Sequence, residues 1–219
     1  MSLPLCVITD SRGQTVGDCT TFSGLYILEI LAHAGIPFDE IEMPIDNGKL
    51  KDRRLVILPW HLSLDGKEKA ALATFVNDGG ALVGLGGTSG LDTLVGVDDR
   101  GAMEDGYLQI VEDGHPLVKG FASSLHCFGG RRIKATEGRV ICSVVGASDG
   151  VVVNRPGAGL TIVVGPDLVG TIVRIQQGHE VPPAEGSTRI DVIKGLALDL
   201  DRDRSPINEE EGLAFLEPI

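Results

Sequence analysis

The chain has 219 residues, 31 acidic against 19 basic, a net charge of −12 and only 4% aromatic residues. Nucleic acid or an anionic membrane needs a basic stripe, and the sequence offers only Arg131-Arg132 with Lys134; so few aromatics also argue against a stacking surface for sugars or single strands. No run of 18 apolar residues and no basic-then-apolar leader is present, so a cytoplasmic protein is expected. Cys6, Cys19, Cys127 and Cys142 form no C-x-x-C pair and read as reduced thiols.

Leu5 to Thr9 reads as a buried strand ending at Asp10. A polar loop, Ser11 to Asp18, follows. Thr20 or Thr21 then caps a helix through Ala34 that is apolar almost all round, with Phe22, Leu25, Tyr26, Leu28 and Leu31. Such a helix packs on a sheet on one side and on something else, a subunit for instance, on the other. Gly35 and Pro37 end it. Phe38 to Met43 alternates apolar and acidic residues, as an edge strand does.

The organising unit is Arg53 to Val97. Leu55 to Pro59 is a short apolar run, the mark of a strand buried on both faces of a parallel sheet. Trp60 to Leu64 is a loop. Asp65 caps a helix and Glu68, three residues on, completes a capping box. Ala71, Leu72, Phe75 and Val76 make one apolar stripe, and Gly79-Gly80 stops the helix. Ala81 to Leu85 is the next strand, running into the turn Gly84 to Gly90. This βαβ unit ends where open α/β sheets place their ligands or nucleophiles.

Beyond Val97, Asp98 to Asp105 reads as an acidic loop, with Tyr107 to Val111, Leu117 to Phe121 and Leu125 to Phe128 as short extended pieces. Val140 to Val145 is a strand. Val151 to Asn154 and Leu160 to Val164 flank a hairpin turn at Arg155 to Gly159. Pro166-Asp167 opens a helix through Gln177, with a strand as the alternative because of its β-branched content. The expected architecture is α/β: a mostly parallel central sheet, flavodoxin-like, with helices on both faces and an antiparallel hairpin at one edge. Residues 1–178 are expected to form this domain, and 179–219 a polar, acidic arm or the start of a linker to a missing region.

The turn Gly84 to Gly90 supports three readings. G-x-G-x-x-x-G at Gly84, Gly86 and Gly90 approaches a dinucleotide fingerprint, but no acidic residue closes the following strand. A nucleophile elbow wants G-x-[SC]-x-G, whereas Gly86-Gly87 stands there and Thr88-Ser89 comes late. The third reading is glycines that allow close packing. As a ligand cradle the turn would use Gly86, Gly87, Thr88 and Ser89. Catalytic alternatives are Asp10, His61, Ser89 and His179, the last adjacent to Glu180, so that the two side chains point apart in extended chain. His126-Cys127 shares that defect; His33 and His115 read as structural. Asp199, Asp201, Asp203, Ser205 and Glu210 have EF-hand ligand spacing, but Arg204 stands where the sharp turn wants glycine. No metal and no cofactor is expected.

Leu58-Pro59, Leu64-Asp65 and Phe75-Val-Asn-Asp-Gly-Gly-Ala-Leu-Val83 resemble the trimerisation domain of family 42 β-galactosidases. Gly90 to Val97 resembles that domain's loop and short helix, and Arg155 to Asp167 its hairpin. The resemblance spans roughly residues 4 to 178 and implies a class I glutamine amidotransferase-like fold, shared with ThuA-like proteins. Amidotransferases place a cysteine at the elbow, where this chain has Gly86-Gly87, and a His-x-Glu later, where it has His179-Glu180. The resemblance therefore implies a fold without the glutaminase site: a non-catalytic domain that oligomerises, as dimer or trimer, or docks beside a carbohydrate-active partner. The alternative is a small-molecule binder or hydrolase using the strand-end crescent of Asp10, His61 and Gly86 to Ser89.

Overall fold

The computed structural model describes residues 3–10, 19–121, 124–146 and 148–177. In chain order the elements are β1 Leu5–Thr9, α1 Cys19–His33, β2 Asp39–Glu42, α2 Asn47–Leu50, β3 Leu55–Leu58, α3 Gly66–Asn77, β4 Ala81–Leu85 and α4 Asp92–Val95. Then come β5 Val97–Ile110, a 3-10 turn Pro116–Val118, β6 Leu125–Ala135, β7 Arg139–Val144, β8 Ser148–Asn154, β9 Leu160–Val164 and α5 Leu168–Gln177. The nine strands form one sheet in the order β2-β1-β3-β4-β9-β8-β6-β5-β7.

The expected mostly parallel, flavodoxin-like and amidotransferase-like α/β fold is overturned. Parallel pairing joins only β1 with β2, β1 with β3, β3 with β4, and β4 with β9. Five pairings are antiparallel, and they include the two longest strands, β5 and β6. β7 pairs with both β5 and β8, so β8, β6, β5 and β7 close into a barrel-like ring. The molecule is mainly antiparallel and barrel-forming, with few helices. The physical reason lies in the connections. A parallel pair needs a long crossover, usually a helix, and after Val97 no α-helix stands between successive strands until β9 is complete. The antiparallel part is a large share of the sheet and not a hairpin at one edge.

Two local readings fail with it. Asp98 to Asp105 is not a loop but the first half of β5, where Glu104 and Asp105 are exposed, Asp99 is largely covered, and Val97, Met103 and Leu108 face inward. Leu117 to Phe121 is not extended; it begins within the 3-10 turn, where His115 Nδ1 accepts the Leu117 N–H. The capping box of α3 is present, with Asp65 Oδ1 accepting from the Lys67 and Glu68 N–H groups and Glu68 Oε2 accepting from the Asp65 N–H at 2.8 Å. Glu68 is buried at 1% exposure, and its other oxygen accepts the Ile45 N–H, tying α3 to the chain after β2.

Three apolar clusters hold the sheet. On one face Leu72 and Val76 of α3 and Val95 of α4 pack on Val56, Leu58 and Leu82. On the other, Tyr26, Ile27, Leu28 and Leu31 of α1 meet Val7 and Ile57 together with Val169 and Val173 of α5. Within this cluster α1 packs on the sheet and beside α5 of the same chain. The third cluster fills the antiparallel ring with Met103, Leu108, Cys127, Ile141, Val144 and Val153. Cys6, Cys127 and Cys142 are buried free thiols; the side chain of Cys19 lies outside the described residues.

Candidate functional site

β3 and β4 run parallel, so their carboxyl ends open side by side: Leu58 is level with Gly84. The loop after β3 carries Trp60, His61 and Leu62; the turn after β4 carries Gly86 to Gly90. The two are laced together through Ser89. Its hydroxyl accepts the Leu62 N–H at 3.0 Å and donates to the Trp60 carbonyl at 3.4 Å, and its N–H donates to His61 Nδ1 at 3.3 Å. Ser89 is 2% exposed and holds a left-handed backbone, φ 52°. A hydroxyl so engaged ties the two loops together. Thr88 is equally buried, and its Oγ1 accepts the Gly90 N–H. The Gly87 N–H is bonded to the Val164 carbonyl of β9. The cradle Gly86, Gly87, Thr88 and Ser89 therefore spends its polar groups chiefly on itself and its neighbours.

Two residues missing from the sequence-based crescent complete the picture. Asp99 stands at the start of β5, beside the irregularity that interrupts its pairing with β6, and Arg131 stands on β6. Arg131 Nε donates to Asp99 Oδ2 at 2.5 Å; Oδ1 of the same carboxylate accepts the Gly101 N–H at 2.9 Å. His61 Nδ1 lies 3.7 Å from that same Oδ2. Gly87 makes room for this meeting: a Cβ there would sit 2.7 Å from Arg131 Cδ and 2.9 Å from His61 Nδ1. Beyond them Lys69 of α3 reaches over Gly90, where a Cβ would come within 2.6 Å of its Nζ.

The electrostatics follow from burial and from Arg131. Burial lowers the His61 pKa, the charge of Arg131 lowers it further, and Asp99 and Asp92 oppose them. The neutral imidazole is favoured, and because Nδ1 accepts from Ser89 its proton belongs on Nε2. For Asp99, burial alone would raise the pKa, but the Arg131 bond and the Gly101 N–H outweigh it and hold the carboxyl below its ordinary value. Asp99 is an anion whose lone pairs are largely used, and Arg131 is the cation it orients.

The remaining candidates fall elsewhere. Asp10 ends β1, the strand beside β3, but the charges that act on His61 are Arg131, Asp99, Asp92 and Lys69. His126 Nε2 is 3.6 Å from Asp105, and its ring stacks on Tyr107 at 4.8 Å. His33 is exposed near Glu29 and not in a buried setting. His179 and the acidic set Asp199, Asp201, Asp203, Ser205 and Glu210 lie outside the described residues, as does the whole expected arm from 179. Among the described residues no group of three His, Cys, Asp or Glu could hold a metal ion, and no helix is long and apolar enough to cross a membrane. A groove of about 660 Å³ opens at the opposite end of the sheet, where Leu50, Arg53, Arg54, Phe75 and Gly80 line it; it is remote from the His61 cluster. Sequence reasoning missed Asp99 because it sat in a presumed loop. It registered Arg131 only as part of a basic pair.

No protein-family model matches the chain, and no curated protein matches it. Solved structures do. A β-galactosidase from Bacillus circulans sp. alkalophilus superposes with TM-score 0.61 at 17% identity, over 91% of this chain and 31% of that one. A cytoplasmic protein from Salmonella typhimurium gives 0.58 at 16%, over 75% and 88%. A ThuA-like protein from Bacteroides uniformis gives 0.53 at 12%, over 97% and 95%. The chain thus spans about a third of the β-galactosidase and nearly all of the ThuA-like protein. At such identities the likeness is one of fold, and it joins glycosidase chains with freestanding ThuA-like ones.

Proposed function

We propose that this is a non-catalytic domain that serves oligomerisation or docking beside a carbohydrate-active partner. One observation carries the reading. Of the large hydrophobic side chains that stand exposed among the described residues, four of five belong to the antiparallel part: Tyr107 and Val111 at the end of β5, Leu117 in the following turn and Val145 just after β7. Tyr107 and Val145 are neighbours, since the Val145 N–H donates to the Tyr107 carbonyl. Exposed apolar side chains grouped on one part of a fold mark contact surfaces. The engaged Ser89 hydroxyl and the β-galactosidase likeness, in which this fold is one segment of a longer chain, support the same reading. Light scattering on a size-exclusion column tests it over a dilution series. A dimer or trimer that Tyr107→Ser with Val145→Ser shifts toward monomer is expected. A strict monomer at tens of micromolar sinks the oligomer part.

A second reading, small-molecule binding at the strand-end crescent, is favoured by a separate observation. Arg131, Asp99 and His61 converge over Gly87 at the carboxyl ends of parallel strands.

A further inference from the structure

We propose that Arg131 and His61 form a receptor for a small oxyanion, a carboxylate or phosphate group, with Asp99 as the positioning residue; the inference rests on the small-molecule reading of the crescent. Arg131 is bound through Nε alone. Its two terminal nitrogens make no hydrogen bond among the described residues, and a third of its side chain is exposed. A guanidinium held at Nε by a carboxylate that is itself 11% exposed cannot swing freely, so its terminal N–H fork is held in place for a ligand. That fork matches the two oxygens of a carboxylate or phosphate.

His61 supplies a second donor beside it. Nδ1 is taken by the Ser89 N–H, which leaves the proton on Nε2, and Nε2 has no partner among the described residues. The Arg131 Nε and the His61 Nδ1 sit 2.5 and 3.7 Å from one carboxylate oxygen, so the two side chains stand shoulder to shoulder. Lys69, reaching over Gly90, adds a third cation on the far side of the turn, while Asp99 and then Asp92 are the opposing charges that limit the field. Such a pair, Arg131 and His61, would hold a small polar anion at its charged end. A sugar acid or a phosphorylated metabolite carries such an end.

The test is an NMR titration of the full chain, reading the imidazole C2–H of His61, assigned by its loss in His61→Gln. The probes are inorganic phosphate, D-galacturonate and neutral D-galactose, with sodium chloride matching the ionic strength. The expected result is a saturable shift with phosphate, galacturonate or both, and none with galactose. Phosphate alone marks a phosphoryl ligand and galacturonate alone a carboxylate. Arg131→Lys keeps the charge and the pairing with Asp99 but loses the fork, and should weaken binding about tenfold. Arg132→Lys, on the exposed neighbour, should leave it unchanged. A shift that only follows ionic strength, or one that Arg131→Lys does not alter, overturns the proposal. A saturable shift with galactose that ignores Arg131→Lys overturns the oxyanion and leaves the small-molecule reading standing. Silence with every probe overturns both.

Discussion

Gly87→Ala separates two contributions that usually arrive together. Gly87 has φ 126°, outside the regions an L-residue occupies with ease, and a Cβ there meets Arg131 Cδ at 2.7 Å and His61 Nδ1 at 2.9 Å. Gly79, after α3, has a similar φ of 109°, yet its Cβ would find Ala158 no nearer than 4.0 Å. Gly79→Ala therefore measures backbone strain alone, about 1–3 kcal/mol. Gly87→Ala carries the same strain and also pushes two side chains aside. It costs the Ser89–His61 hydrogen bond, worth about 1 kcal/mol, and an off-rotamer displacement of about 1 kcal/mol more. The expected order is Gly87→Ala less stable than Gly79→Ala by about 2 kcal/mol, or a midpoint lower by about 1 M urea for a slope near 2 kcal/mol per M. The assay is urea unfolding followed by far-UV circular dichroism, with the His61 ring resonance recorded in the native state. Equal destabilisation by the two substitutions, with the His61 resonance unmoved, would refute the claim that Gly87 exists to seat His61 and Arg131.

Three further outcomes test other parts of the structure. Ser89→Ala strips the buried Leu62 N–H of its acceptor and should cost about 1–3 kcal/mol in the same assay; rapid stoichiometric labelling of Ser89 by a fluorophosphonate would instead show a reactive hydroxyl. Glu68→Ala opens the α3 capping box and leaves the Ile45 N–H unpaired, which should cost about 2–4 kcal/mol, so a loss near zero would mean that water replaces both bonds. Burial, then the Arg131 charge, holds His61 below its ordinary 6.5, so as pH falls through 6.5 the unfolded chain takes up the proton first. Stability must then decline with falling pH until the folded value is passed. The wild type should lose more of its urea midpoint than His61→Gln between about pH 7 and pH 5; parallel profiles for the two proteins would contradict this.

The glycine turn after β4 laces two loops together through Ser89. The two functional readings use different surfaces. The apolar side chains near Tyr107 and Val145 lie on the antiparallel ring, and the His61 cluster lies where that ring meets the parallel strands. One molecule can therefore carry both.

What the sequence determined by itself is the stretch from Arg53 to Gly90. Its signals are local: an apolar run too short for a helix, an Asp-x-x-Glu box, a stripe at helical spacing and a glycine stop. Each acts within a few residues, so each survives translation into β3, α3 and β4. Only the tertiary structure decided the second half. Asp98, Asp99, Glu104, Asp105 and two glycines suppress any strand signal in β5, because acidic residues and glycine fit poorly on a half-buried pleat. They form a strand there because β6 pairs with it, while Glu104 and Asp105 keep solvent and Asp99 is bonded to Arg131 of β6. The candidate site was hidden for the same reason. Ser89 meets His61 across 28 residues, and Arg131 meets Asp99 across 32. Such pairs obey no spacing rule; they exist only once the parallel strands and the antiparallel ring have been brought onto one sheet.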